Sequence, residues 1–245
     1  MIIKAVVFDA YGTLYDVQSV ADVTEQSFPG YGAIITQIWR QKQLEYSWLR
    51  SLMERYEDFT AVTRESLVFT LRSLGLPREP VVIDRLMERY LRLDPYPDAK
   101  STLAALSGFQ RAILSNGSPS MLRALVRASG LDSLLDATIS VDARKVFKPS
   151  PLAYTLIERV LGTPPAEVLF VSSNPFDVCG AKSFGLNVAW IERVPEAALA
   201  REFAQHDRVA PSAIFNILRT QLDELGFAPD HRIGALSDLP AILAA

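Results

Sequence analysis

Ile2-Ile3-Lys4-Ala5-Val6-Val7-Phe8-Asp9-Ala10-Tyr11-Gly12-Thr13 is the stretch whose reading decides the fold. The run from Ile2 to Phe8 is apolar except for Lys4 and rich in Ile and Val, which predicts a strand buried on both faces of a parallel sheet. Short runs of the same kind recur at Arg111 to Leu114, Ala137 to Val141, Val168 to Val171 and Asn187 to Ile191. The stretches between them have helical length. Ser118-Pro119 and Ser150-Pro151 each offer a serine N-cap followed by proline at the first helical position. Strand and helix alternate from about residue 108 to 192, and that alternation predicts a doubly wound parallel α/β sheet with right-handed crossovers.

From Val17 to Tyr96 the alternation stops, with several helical patterns and no convincing strand. Apolar residues at three- and four-residue steps predict a helix over Ile34 to Tyr56, then others over Arg64 to Leu74 and Pro80 to Leu93. Pro95, Pro97 and Asp98 mark the return to the sheet. The expected organisation is therefore an α/β core of residues 1–16 and 97–245, with a helical cap of residues 17–96 inserted after the first strand. The tail reads as one helix over Pro211 to Leu225, then a possible edge strand at Ile233 to Leu236.

Composition removes several function classes. With 25 Lys and Arg against 28 Asp and Glu, the formal charge is −3 with neutral histidines, so no basic excess is available for nucleic acid. Hydrophobic residues make up 49% and charged ones 22%, which excludes intrinsic disorder and predicts a sizeable core. Cys179 is the one cysteine; no internal disulfide can form, and a cytoplasmic location is expected. The opening run meets Asp9 without a small-residue cleavage pattern, so it reads as a strand rather than a signal peptide. No segment approaches the roughly 20 apolar residues of a membrane span. His206 and His231 lie near the end of the chain, away from the strand ends, so neither a histidine triad nor a zinc site is expected.

Ligands of an open α/β sheet bind beyond the carboxyl ends of its strands. Past the first run stands Asp9-Ala10-Tyr11-Gly12-Thr13, past the second Ser115-Asn116-Gly117-Ser118, beyond the third Lys148-Pro149, and past the fourth Ser172-Ser173-Asn174-Pro175-Phe176-Asp177. Each also has a structural reading. Asp9 can cap a loop, Ser115-Asn116-Gly117 can be a turn, Lys148 can be solvated, Asp177 can favour a first helical turn, and Arg40 can snorkel from its apolar-rich helix. Coincidence at four successive strand ends is a poorer explanation than one shared site.

In that order, Asp9-x-Tyr11-Gly12-Thr13, Ser115-Asn116-Gly117, Lys148-Pro149 and Ser172-Ser173-Asn174-x-x-Asp177 resemble the haloacid dehalogenase (HAD) superfamily over nearly the whole chain. Within it the sequence is most similar to the L-2-haloacid dehalogenases (type II). The similarity runs through Phe8 to Leu14, the helix Trp39-Arg40-Gln41-Lys42-Gln43-Leu44-Glu45-Tyr46, Tyr154 and Val171-Ser172-Ser173-Asn174. The implied fold is a HAD-like, Rossmann-type core carrying a helical cap. Phosphatases of the superfamily place a second Asp two residues after the nucleophile, to protonate an alcohol leaving group, and hold Mg²⁺ with carboxylates near the fourth strand. Here Tyr11 takes that position, and the fourth-strand loop offers Asn174 with one carboxylate, Asp177. A hard oxygen site is poorly supplied, so no metal and no cofactor are expected. Halide leaves without a proton, which suits a site lacking the general acid.

The resemblance implies that Asp9 attacks C2 of an (S)-2-haloacid, giving an aspartyl ester and, after hydrolysis, the (R)-2-hydroxyacid. Arg40, Asn116 and Phe176 would hold the departing halide, while Ser115 and nearby backbone amides would hold the substrate carboxylate. Asp177 with Asn174, Ser172 and Lys148 would orient the hydrolytic water, and Thr13 and Tyr154 would position Asp9 and Lys148. Tyr11, Gln41, Leu44 and Phe59 would shape the pocket around the alkyl group. The implied partners are a small haloacid, a halide ion and a second copy of the chain in a homodimer built through the cap; no membrane partner is expected. Three other readings stay open: a Mg²⁺-dependent phosphatase, a dehalogenase for another haloacid such as fluoroacetate, and a non-catalytic dimer scaffold.

Overall fold

The computed structural model describes residues 2–205, 213–219 and 221–244. Five of the expected apolar runs form strands β1 (Ala5–Phe8), β4 (Gln110–Ser115), β5 (Ala137–Ser140), β6 (Val168–Ser172) and β7 (Asn187–Ile191). A short β8 (His231–Ile233) completes a parallel sheet of order β5-β4-β1-β6-β7-β8. Every residue of β1 and β6 is buried, whereas the edge strands β5 and β8 expose positions to solvent. That is the pattern of a sheet covered on both faces. Pairing begins at Ala5 rather than Ile2, because Ile2 is exposed and Ile3 is only half-buried.

The segment after β1 holds one small departure from expectation. Tyr15–Asp16 (β2) pairs antiparallel with Asp94–Pro95 (β3), a two-residue ribbon where no strand was anticipated. It is too short to carry a periodic pattern, and its pairing closes the segment at the point where the chain leaves and rejoins the sheet. Between its strands lie α1 (Ala21–Ser27), α2 (Gly32–Leu52), α3 (Phe59–Ser73) and α4 (Pro80–Tyr90). Helix α2 ends before Tyr56 because Glu54 adopts φ 55°. Tyr56 then stacks on Phe147 with centroids 4.9 Å apart and donates to Asp142 Oδ1 at 2.9 Å. Helix α3 starts at Phe59, ahead of Arg64, because Asp58 Oδ1 accepts the Ala61 N–H at 2.9 Å as an N-cap. Helix α4 stops at Tyr90, three residues short of Leu93.

Helices α5 (Ala99–Ala105), α6 (Pro119–Ser129), α7 (Pro151–Leu161) and α8 (Pro175–Phe184) connect the sheet strands. Ser118 caps α6 through its side chain, as expected, whereas Ser150 occupies the N-cap of α7 without a side-chain bond. Beyond β7 follow α9 (Glu196–Gln205), α10 (Ala213–Ile217) and α11 (Leu239–Leu243). The single tail helix expected from Pro211 is thus shorter: Pro211 lies outside the described residues, and the helix ends at Ile217, where Leu218 and Arg219 turn toward the sheet. The edge strand runs over His231–Ile233 instead of Ile233 to Leu236, and Leu236 begins a 3-10 turn.

Strand β1 is central, with β4 on one side and β6 on the other; Phe8 pairs with both Ile113 and Val171. The chain runs from β5 through α7 to β6, which lies on the other side of β1, so the loops after β4 and β6 part around the end of β1. Such a switch point leaves a crevice, and Asp9 is the residue at its floor.

Candidate active site

Asp9 extends the ladder by one residue, its N–H donating to Val171 O at 2.9 Å. The chain then doubles back: Ala10 O accepts from the N–H groups of Leu14 and Tyr15, both at 3.0 Å. Gly12 sits at φ 88°, the left-handed region that glycine enters without strain. This turn returns Thr13 Oγ1 to within 3.2 Å of Asp9 Oδ2, to which it donates. Asn174, the N-cap residue of α8, donates Nδ2–H to the same Oδ2 at 2.7 Å and to Tyr11 O at 3.0 Å. Both contacts from β6 and β1 loops therefore converge on one oxygen of Asp9.

The other oxygen belongs to Lys148. Its Nζ donates to Asp9 Oδ1 at 2.7 Å, Asp177 Oδ2 at 2.6 Å and Leu114 O at 3.0 Å, using all three ammonium protons. Lys148 is 1% exposed, Asp9 4% and Asp177 0%. Burial of this ammonium would strip its proton, but Asp177 and Asp9 outweigh that penalty and hold the Lys148 pKa above its usual value. Asp177 moves the same way for a different reason: burial raises it, Lys148 opposes, and the Asp9 charge adds to the rise. A carboxylate raised in this way sits closer to neutrality as a proton acceptor. Tyr154 donates its hydroxyl to Asp177 Oδ1 at 2.7 Å and Ser172 donates to Asp177 Oδ2 at 3.1 Å. Tyr154 thus serves Asp177, not Lys148 as the sequence suggested.

Across the crevice the helices contribute different chemistry. Arg40, 6% exposed on α2, donates Nη1–H to Gln43 Oε1 at 2.6 Å. Tyr90 donates to the same oxygen at 2.9 Å, and Gln43 Nε2 donates to Thr63 Oγ1 at 2.7 Å. Tyr11 lies 5.6 Å, centroid to centroid, from both Phe59 and Tyr90. Its hydroxyl is buried without a hydrogen-bond partner among the described residues, and burial, with Tyr90 nearby, raises its pKa well above the ordinary phenol value.

The remaining expected residues are placed less tightly. Asn116 Oδ1 accepts the backbone N–H of Lys148 at 2.9 Å, which orients its amide. Ser115 Oγ accepts the Gly117 N–H at 3.2 Å and is engaged within its own loop. Gln41, Leu44 and Phe176 line a neighbouring cavity of about 200 Å³ together with Trp48, Asn174 and Arg219. Phe176 packs edge-on against Trp48 at 5.3 Å. His231 is exposed in β8, away from the crevice, His206 lies outside the described residues, and Cys179 is buried in α8.

Four participants were not singled out in the sequence. Gln43 and Tyr90 hold Arg40, and Gln43 had a readable signal, because it follows Arg40 by one helical step of three. Ser173 lies inside the fourth-strand motif and bonds Thr13 and Gly12. Arg219 comes from the tail and has no local signal at all.

Fold and site together define an α/β enzyme centred on a buried pair of carboxylates that share one ammonium. The chain belongs to the haloacid dehalogenase-like hydrolase family, whose model matches residues 3–185. It is 57% identical to the (S)-2-haloacid dehalogenase of Xanthobacter autotrophicus over 98% of this chain and 95% of that protein. Haloacetate dehalogenase H-2 of Moraxella sp. (strain B) is 48% identical over 78% of this chain and 86% of its own length. Among solved structures, L-2-haloacid dehalogenase from Xanthobacter autotrophicus with chloropropionic acid covalently bound superposes with a TM-score of 0.95 at 56% identity, covering 100% of this chain and 99% of that one.

Proposed function

We propose that this chain is a hydrolase that converts (S)-2-haloacids to (R)-2-hydroxyacids and halide through an aspartyl ester at Asp9, without a metal. The observation that carries the reading is the buried Asp9, gripped at Oδ1 by Lys148 and at Oδ2 by Asn174 and Thr13. A carboxylate held at both ends presents an oriented lone pair, and attack on C2 opposite the halogen forms the Asp9–C2 ester with inversion. The electron pair of the broken bond leaves with the halide, which Arg40 and Asn116 stabilise by N–H donation and Phe176 by its ring edge. Ser115 and nearby backbone amides hold the substrate carboxylate.

Water then adds to Cγ of Asp9. Asp177 takes its proton, with Ser172, Asn174 and Lys148 fixing the geometry; the Cγ–O ester bond then breaks while C2–O stays intact, and the proton passes from Asp177 to the departing oxygen, so that the hydroxyacid leaves with an oxygen that began on Asp9. Tyr11, Gln41, Leu44 and Phe59 bound the space for the alkyl group.

The donor chemistry supports metal independence. The cationic partner of both carboxylates is an ammonium, and Tyr11 O and Asp9 Oδ2 face an amide N–H donor. Dehalogenation is expected to survive exhaustive EDTA treatment; activity lost and then restored by Mg²⁺ favours the phosphatase reading. Haloacetates are a second substrate class, favoured by the 48% identity to haloacetate dehalogenase H-2. Residues 17–96 act as a cap domain on a core of 1–16 and 97–245, supported by the Tyr11–Phe59, Tyr56–Phe147 and Trp48–Phe176 ring contacts across the crevice. Exposed Leu49, Leu52 and Met53 at the end of α2 support a homodimer, and the single, buried Cys179 supports a cytoplasmic location.

A single turnover of (S)-2-chloropropionate in ¹⁸O water, with enzyme in excess, tests the central step. Unlabelled (R)-lactate and a labelled peptide containing Asp9 are expected. Labelled lactate with an unlabelled peptide makes Asp9 a general base instead.

A further inference from the structure

We propose that the Tyr11 hydroxyl is a further catalytic group, donating a hydrogen bond to the halide as it departs; this rests on the dehalogenase reading above. Tyr11 is 2% exposed, with its ring between Phe59 and Tyr90. The ring can bound an alkyl group, but the hydroxyl has no hydrogen-bond partner among the described residues. It rests on the loop after β4: a Cβ built on Gly117 would fall 2.9 Å from Tyr11 Oη and 2.7 Å from Leu122 Cδ2. Gly117 follows Asn116 directly, so the orphaned hydroxyl stands beside one of the two N–H donors assigned to the halide. The other is Arg40, whose charge opposes the rise of the Tyr11 pKa and so reaches the phenol. Arg40 Nη1 is committed to Gln43, whereas its buried Nε–H is also without a partner among the described residues.

An unpaired buried donor is costly, and two of them beside one crevice are matched by a single anion. The substrate brings two acceptors. Its carboxylate is charged throughout and is provided for by Ser115 and the backbone amides. The halogen is a poor acceptor while bonded to carbon and a full anion once that bond is broken. A donor beside Arg40 and Asn116 therefore binds most tightly as the carbon–halogen bond breaks, which is where an interaction accelerates the step. Burial, with Tyr90 and Asp9 adding to it, holds the Tyr11 pKa well above the ordinary phenol value. The hydroxyl thus keeps its proton and acts as a hydrogen-bond donor, not as an acid, and halide still leaves unprotonated.

Tyr11→Phe removes the oxygen and keeps the ring. Single-turnover release of chloride from (S)-2-chloropropionate should slow about ten- to a hundred-fold. Bromide is larger, with more diffuse charge, and accepts a weaker hydrogen bond. Its release from (S)-2-bromopropionate should therefore slow less, changing the chloride-to-bromide rate ratio by at least about three-fold. Ester hydrolysis and binding of propionate, a haloacid without its halogen, should stay within about two-fold, because neither involves the departing halide. The melting temperature should equal or exceed that of wild type, since an unpaired buried oxygen is deleted. Equal slowing of both halides, unchanged rates, propionate weakened as much as chloride release slows, or a melting temperature well below wild type overturns the proposal. Chloride binding by calorimetry separates it from the dehalogenase reading. A wild-type protein that releases no halide but binds chloride more tightly than the Tyr11→Phe variant leaves Tyr11 as a halide donor and overturns the dehalogenase reading; equal chloride binding in that case overturns both.

Discussion

The sheet side and the helical side of the crevice are built on opposite plans. On the sheet side, Asp9, Lys148 and Asp177 are locked by bonds from the loops after β1, β4 and β6 and from α7, and the bonds that reach Asp9 from Lys148 and Asn174 join residues more than a hundred positions apart. On the helical side the buried cation Arg40 is held by Gln43 of its own helix, and the Tyr11–Phe59 and Trp39–Tyr90 ring contacts pack that side of the crevice. The lesson is a division of labour. Bond making and bond breaking need charges fixed within a fraction of an ångström, and interlocked buried ion pairs provide that. Leaving-group stabilisation and substrate fit tolerate a softer, aromatic wall that can change without disturbing the charges.

The strongest way to break the comparison is to delete the centre of the locked side. Asp9→Ala should abolish halide release, a loss of at least about four orders of magnitude, as for removal of a nucleophile. The protein should stay folded, because Lys148 keeps Asp177. Turnover within a hundred-fold of wild type would move the nucleophile elsewhere. On the softer side, Arg40→Ala should cost about two to three orders of magnitude in kcat, with a melting curve close to wild type because Gln43 retains Thr63 and Tyr90. Near-normal turnover would return Arg40 to a packing role.

Tyr154→Phe sharpens the assignment of roles within the locked side. Its hydroxyl donates to Asp177, which favours the ionised carboxylate, so removing it raises the Asp177 pKa further. If Asp177 must be ionised to accept the proton of water, the acid limb of the kcat profile moves to higher pH, while the alkaline limb stays. A superimposable profile would separate Asp177 from the rate-limiting proton transfer. The smallest effect is expected far from the charges: Asp58→Ala removes the N-cap of α3 and should cost about 1 kcal/mol, a few degrees of melting temperature. Activity should remain near normal, and a large kcat loss would show that the helical layer is less tolerant than its construction suggests.

Much of the locked side was readable before any coordinates. The central strands are continuous apolar runs because they are buried on both faces, and a sheet of that kind presents its chemistry just past those runs. Asp9, Lys148, Asn174 and Asp177 could therefore be found by position alone. Less was readable where structure depends on distant partners. Tyr56 continues the helical spacing beyond the end of α2 at Leu52, although its ring is spent on Phe147 outside the helix. Residue spacing does not reveal which of two adjacent charges a hydroxyl will meet, and Tyr154 meets Asp177 rather than Lys148.

What the amino-acid sequence determines by itself is the parallel sheet, the inserted helices and the set of strand-end residues, because hydrophobic periodicity and capping act over a few residues. Only the tertiary structure decides which atoms share a proton, how Gln43 and Tyr90 brace Arg40, and that Arg219 returns from the tail to lie on Gly12. The Tyr90–Gln43 and Arg219–Gly12 contacts join residues 47 and 207 positions apart. Their existence depends on how the sheet twists and how the helices close over it, and nothing in the local order of side chains records that.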